Sequence, residues 1–208
     1  MEGTGLRSDA RDNRDRVLEA ARRLFSEQGL GVPMREIARR AEVGPATLYR
    51  RFPTKQALID AAFADEMRAC SGIVRDGCAD PDPWRGLSAV VRDITELNAV
   101  NQGFTDAFVS SYPGAADFAA HRAGMLRALT GLWRRAQRAG AVRPDSVVDD
   151  LILMIMAGRG LPVGPPELRV AAARRFAALI LDSFRASPAA GPLPPPARVS
   201  AAAVSGGG

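Results

Sequence analysis

Between Pro33 and Lys55 the chain carries a pattern that few folds accommodate: two short apolar-periodic runs separated by three turn residues. Ile37, Ala41, Val43, Leu48 and Phe52 recur at the spacing needed for a shared interior, and Ala38 is small where two steeply crossed helices approach closest. Gly44 suits a turn conformation closed to bulkier residues. Pro45 suits the first position of a helix, where its missing N–H has no intrahelical partner to lose. The spacing predicts helices over 34–41 and 45–51 joined by a turn at 42–44, a helix-turn-helix.

The side chains left over on the second of these helices, Ala46, Thr47, Tyr49, Arg50 and Arg51, then point away from that interior. Small residues at the helix start allow close approach to base edges, so this face has the character of a major-groove reading surface. Arg35, Arg39, Arg40, Arg50, Arg51 and Lys55 oppose only Glu36 and Glu42 in this stretch, a local surplus able to neutralise phosphates. The bland alternative is a solvated charged face. The net charge of +5 also favours a polyanionic partner, although Lys55 is the only lysine, and so arginine-rich a chain is equally well read as codon bias.

The rest of the chain is punctuated into helices, with no alternating stretch that calls for a strand, so the expected fold class is all-α. A first helix is predicted over 13–28, with Val17, Ala21, Leu24, Phe25 and Gln28 on one face and Gly29 as its stop, leaving 1–12 as a flexible N-terminal arm. A fourth helix is predicted from Lys55 to about Ser71. The helix-turn-helix domain is placed at 13–63, a larger helical domain at 64–186, and a disordered Pro/Ala/Gly tail at 187–208. In the larger domain, helices are expected over 84–101, 102–112, 115–139, 145–158 and 168–185. The second half of 145–158 is apolar all round, and such a helix must be covered on both sides.

The stretch from Met34 to Leu58, MREIARRAEVGPATLYRRFPTKQAL, resembles the DNA-binding signature of the TetR family of transcriptional regulators, and the resemblance covers roughly residues 13–63. It implies a homodimeric repressor that is released from a near-palindromic double-stranded operator by a small-molecule effector; a cytoplasmic, reduced protein is expected separately, because no signal-peptide pattern precedes Cys70 and Cys78. By the same resemblance Thr47 and Tyr49 match recognition-helix positions that touch DNA, Lys55 a phosphate-contacting cation, and Arg35 a position reaching bases or phosphate. Pro45, Ala46 and Arg51 fall at variable positions suited to sequence choice, with Arg50 beside them. Pro33 and Gly44 depart from the family, which often has side-chain caps there.

The resemblance also implies effector binding and dimerisation in the later helices. Large or polar groups interrupting apolar stripes are the pocket candidates: Asn98, Phe104, Phe108, His121, Met125, Trp133, Met154 and Arg159. Plain packing or surface placement is the competing reading for each. Ile152, Ile155, Phe176, Leu179, Ile180, Ser183 and Phe184 are the candidates for an interface with a second subunit. An enzyme is the first reading of another class, but the chain has no G-x-S-x-G, no H-E-x-x-H, no P-loop and a single histidine. A sequence-neutral architectural DNA protein is the second, and the size of the apolar C-terminal two thirds argues against it. Cys70 and Cys78 are expected to be free thiols; no metal, cofactor or membrane segment is expected.

Overall fold

A computed structural model of the chain describes residues 3–101, 104, 116–158, 164–188 and 191–196. Among these the elements are all helical: α1 Gly3–Gln28, α2 Met34–Arg40, α3 Pro45–Arg51, α4 Lys55–Ala62, α5 Ala64–Ala79, α6 Pro83–Val100, α7 Ala116–Arg138, α8 Val148–Ala157 and α9 Pro166–Phe184. Two compact units divide near Asp65, and Phe104 belongs to the first. The expected segments 102–112 (apart from Phe104) and 159–163 lie outside the described residues, and with them Phe108 and Arg159.

In the first unit α1 packs on α2 and α4, and α2 on α3. Phe25, Ile37, Leu48, Leu58 and Ile59 are fully buried at the centre, each worth about 1.5–3 kcal/mol of transfer free energy. Phe63 stands between Phe25 and Phe104, with ring centroids 6.0 and 6.1 Å away. Arg22 of α1 donates from Nε to the Ala62 carbonyl at 2.6 Å, satisfying one of the acceptors left open at the end of α4. Thr54 caps the start of α4 by accepting from the Ala57 N–H at 3.1 Å.

Three features differ from expectation. The first helix begins at Gly3, so the arm foreseen at 1–12 is largely a helical extension of α1. That segment has no apolar stripe to reveal it, but it also has no proline, and arginines and aspartates at helical spacing support a polar helix. The fourth helix is interrupted: Phe63 leaves helical geometry (φ −112°, ψ 17°), and α5 then runs on to Ala79. Finally, the left-handed residue of the helix-turn-helix is Glu42 (φ 55°), not Gly44, whose φ of −64° and ψ of 141° are ordinary extended values.

In the second unit α6 packs on α9 and on α7, and α7 on α8. Asp82 caps α6, accepting from the N–H groups of Trp84 (2.9 Å) and Arg85 (3.2 Å), with Pro83 in the first turn. Asp80 receives both guanidinium arms of Arg85, at 2.8 and 2.7 Å. Arg135 of α7 donates to the carbonyls of Cys78 and Asp80, both at 2.8 Å, and so ties α7 to the α5–α6 turn. Glu96 of α6 and Arg174 of α9 form a bidentate pair at 2.8 and 3.1 Å. Trp133 meets Phe184 edge to face at 4.9 Å, and a single antiparallel bridge joins Val142 to Arg185. Within the tail foreseen as disordered, Gly191 and Leu193 are held: Arg143 donates to the Gly191 carbonyl at 2.6 Å, and Asp145 accepts from the Leu193 N–H at 2.9 Å.

Candidate nucleic-acid interface

The turn between α2 and α3 is built from backbone hydrogen bonds. The N–H of Val43 reaches the Ala38 carbonyl at 3.0 Å and that of Glu42 the Arg39 carbonyl at 3.2 Å, around a left-handed Glu42. This is a Schellman stop, the same device that ends α7 at Gly140 (φ 70°), where Ala141 reaches back to Ala136 at 3.0 Å. Neither Pro33 nor Gly44 supplies a side-chain cap, so α2 and α3 start uncapped, as their identities require. Pro45 occupies the first turn of α3.

Only Leu48 of α3 is buried. Pro45, Ala46, Tyr49, Arg50 and Arg51 are exposed, Tyr49 by 50%, and Thr47 is half-buried. Arg35 of α2 is exposed as well. Arg40, Arg50 and Arg51 make no hydrogen bond or ion pair among the described residues, whereas Arg39 is held by Glu36 at 3.0 Å and the same carboxylate also feels the charge of Arg35. The hydrogen bond from Arg39 is the main reason the Glu36 carboxyl titrates below its usual range. The positive charge left without an acidic neighbour on α3 therefore comes from Arg50 and Arg51. Lys55 is half-buried at the start of α4, and burial lowers its ammonium pKa. What the chemistry offers is a hydroxyl and a phenol on a short helix, small residues at its start, and guanidinium groups around it, suited to base edges and phosphates. Asn13 and Arg14 of α1, which the sequence pattern did not single out, also lie beside α3.

The pocket candidates do not all converge. His121 and Met125 line one open groove of about 800 Å³ in the second unit, together with Ser71, Val74 and Cys78. The Ser71 hydroxyl lies 2.8 Å from His121 Nε2 and donates to the Met67 carbonyl at 2.8 Å. The Cys78 thiol donates to the Ala128 carbonyl at 3.5 Å. Phe104 is instead a core residue of the first unit, Trp133 is buried against Phe184, and Asn98 and Met154 are half-buried outside the groove.

Of the interface candidates, Leu179 is 57% exposed and Ser183 is exposed, while Ile152, Ile155 and Phe176 are half-buried. Ile180 and Phe184 are instead buried in the interior of the second unit, because the α9 stripe is wide enough to serve that core. Leu153 and Leu168, each 49% exposed, were not among the candidates. Cys70 and Cys78 are both free thiols. Among the described residues no group of ligating side chains is placed to hold a metal, and no helix is long and apolar enough to cross a membrane.

A helix-turn-helix unit followed by a second all-helical unit defines a class of bacterial transcriptional regulators, not of enzymes. Residues 17–62 match the model for bacterial regulatory proteins of the tetR family, and residues 82–186 match that for the C-terminal domain of SbtR-like transcriptional regulators. The chain belongs to the TetR family. It is 30% identical over 138 residues to the HTH-type transcriptional repressor KstR of Mycobacterium tuberculosis, a match that takes in 65% of this chain and 63% of that repressor. The chain thus spans less than two thirds of that relative's length. Among solved structures, the TetR transcriptional regulator SCO0520 of Streptomyces coelicolor is 34% identical with a TM-score of 0.53, covering 84% of this chain and 99% of that one. The regulator PfmR of Thermus thermophilus, 21% identical with a TM-score of 0.65 over 81% of this chain and 95% of that one, shares the fold.

Proposed function

We propose that the chain is a sequence-specific DNA-binding transcriptional regulator, a homodimeric repressor whose two α3 helices enter successive major grooves of a near-palindromic operator, roughly 34–36 Å apart. The observation that carries this reading is the division of labour on α3: Leu48 alone is buried, while Pro45, Ala46, Tyr49, Arg50 and Arg51 are presented outward with Arg35 of α2 nearby. Thr47 and Tyr49 touch the DNA, Arg35 reaches bases or phosphate, and Lys55 takes a phosphate. Pro45, Ala46 and Arg51 adjust the choice of sequence, with Arg50 beside them. Exposed Leu153, Leu168 and Leu179 support self-association through α8 and α9, since an apolar surface of this kind is stable when a second copy covers it. The groove beside Ser71, His121 and Met125 is the best-supported place for a small-molecule effector whose binding releases the DNA.

The deciding experiment selects duplexes from a random library with the wild-type protein and then measures the enriched duplex against the Tyr49→Ala protein. Specific affinity falls with helicity unchanged. Equal affinity of the two proteins overturns the docking of α3, and failure to enrich any sequence overturns specific recognition.

A further inference from the structure

A second feature of the first unit extends the DNA-binding reading, and rests on it. A groove of about 240 Å³ runs between α1 and α3, and its rim carries Asn13, Arg14, Thr47, Arg50 and Arg51. Its floor is apolar, with Val17, Leu48 and Phe52 all buried. Among the described residues no carboxylate lines it. Arg14 is 41% exposed, and its one ion-pair contact is a loose one, 3.7 Å from the Asp15 carboxylate. Arg50 and Arg51 are exposed and have no acidic partner among the described residues.

Three guanidinium groups around a groove that contains no acid repel one another, and an anion placed between them relieves that repulsion. Bidentate hydrogen bonding suits guanidinium to a phosphate in particular. The groove is bordered by Thr47, so it is continuous with the face of α3 that meets the bases. A phosphate held there would fix position and carry no sequence information. We infer that this groove seats a phosphodiester of the DNA backbone between Arg14 and Arg50, making α1 a DNA-contacting element that fixes how deeply α3 enters the groove. Arg14 is thus a positioning residue that carries no sequence information.

The test uses the full chain and a mixed-sequence duplex of roughly 30 base pairs, with affinity followed from about 50 to about 200 mM salt. Arg14→Gln is expected to lower the slope of log affinity against log salt by about 1.8, one phosphate contact from each subunit of the proposed dimer at about 0.9 apiece, and to weaken binding by a similar factor on every sequence. Arg14→Lys, which keeps the charge, restores most of the slope. Arg23→Gln, on the far side of α1 and paired with Glu27 at 2.9 Å, leaves it unchanged. A wild-type slope in Arg14→Gln overturns the inference, as does a loss in Arg14→Gln that Arg14→Lys fails to restore. Inorganic phosphate competing as well as duplex DNA at equal phosphate concentration marks the groove as a free-anion site and overturns its role in docking. Absence of any duplex binding by the wild type overturns the DNA reading itself, a result distinct from the other three.

Discussion

Gly77 and Gly86 bring α5 and α6 so close that a methyl group added at Gly77 would lie 2.8 Å from the Gly86 carbonyl oxygen, and one added at Gly86 would strike the Gly77 carbonyl. At Gly77 the Val90 side chain is nearer still, and at both positions a backbone carbonyl also stands in the way and cannot swing aside as a flexible side chain can. Gly77→Ala and Gly86→Ala are each expected to destabilise the protein by about 1–3 kcal/mol, the usual cost of overpacking. Chemical denaturation shows this as a lower midpoint, and an unchanged midpoint in both variants would mean that the two helices separate freely.

Leu48 and Tyr49 are neighbours with opposite duties. Leu48 is 1% exposed, so Leu48→Ala should cost about 2–5 kcal/mol and melt the first unit early. Tyr49, half exposed, should lose less than about 0.5 kcal/mol on truncation while its DNA affinity drops. Thermal melts and duplex binding on the two variants separate folding from recognition.

Glu42 sits at φ 55° in a stop that elsewhere in the chain is made by Gly140. A side chain in this region costs about 1–2 kcal/mol, partly offset by the lower unfolded-state entropy of a non-glycine residue. Glu42→Gly should therefore stabilise the protein by about 0.5–1 kcal/mol, read as a higher urea midpoint.

Burial pushes the Cys70 thiol up to about 11 from an ordinary 9.0. The unfolded chain then gives up this proton at a lower pH than the folded one does. The stability associated with Cys70 is fully present below pH 9.0 and is lost as pH rises toward about 11. Urea midpoints should fall across that window in wild type and fall less in Cys70→Ala. At neutral pH, alkylation should reach half-buried Cys78 before Cys70, with the modified residue identified by peptide mass.

Arg143, through its hydrogen bonds at 2.7 and 2.9 Å, and then the Leu193 N–H hold the Asp145 carboxyl well below the usual carboxylate range. A depressed pKa contributes stability above the unfolded value near 3.8, and that stability is lost as pH falls below it. Asp145→Asn should loosen the 191–196 segment at neutral pH as acid does in the wild type. Faster cleavage near Leu193 by a broad-specificity protease, with the rest of the chain intact, is the expected readout.

Much of this architecture is written locally. Gly29 ends α1 as expected, and Gly140 ends α7 in the same way, because a left-handed stop strongly favours glycine; Pro45 opens α3 because its ring suits a first turn. The same rule misled at the helix-turn-helix, where backbone hydrogen bonds from Glu42 and Val43 draw the left-handed geometry onto a glutamate and leave Gly44 extended. Periodicity located α6 to within a residue but could not see the interruption at Phe63, whose apolar side chain continues the stripe while its backbone departs from it. Nor could it sort α9, since an apolar residue facing its own core and one facing a partner look alike in sequence. Ile180 and Leu179 are adjacent, one wholly buried and the other the most exposed large apolar side chain described. The outward residues of α3 were legible because helix geometry alone assigns them. Arg14 was not, because its importance depends on where α1 lies beside α3.

Lys55 has a consequence for chemistry at the bench. It is the only lysine in the chain, and burial lowers its pKa, so at a given pH more of it is the unprotonated, nucleophilic amine than in an ordinary surface lysine. Apart from the N-terminal amine, an acylating reagent has one place to react, at the first residue of α4 beside the proposed DNA face. A mild active ester thus converts the chain into a single-site occupancy gauge: the yield of one modified peptide, with and without duplex, reports directly how much of the protein is engaged.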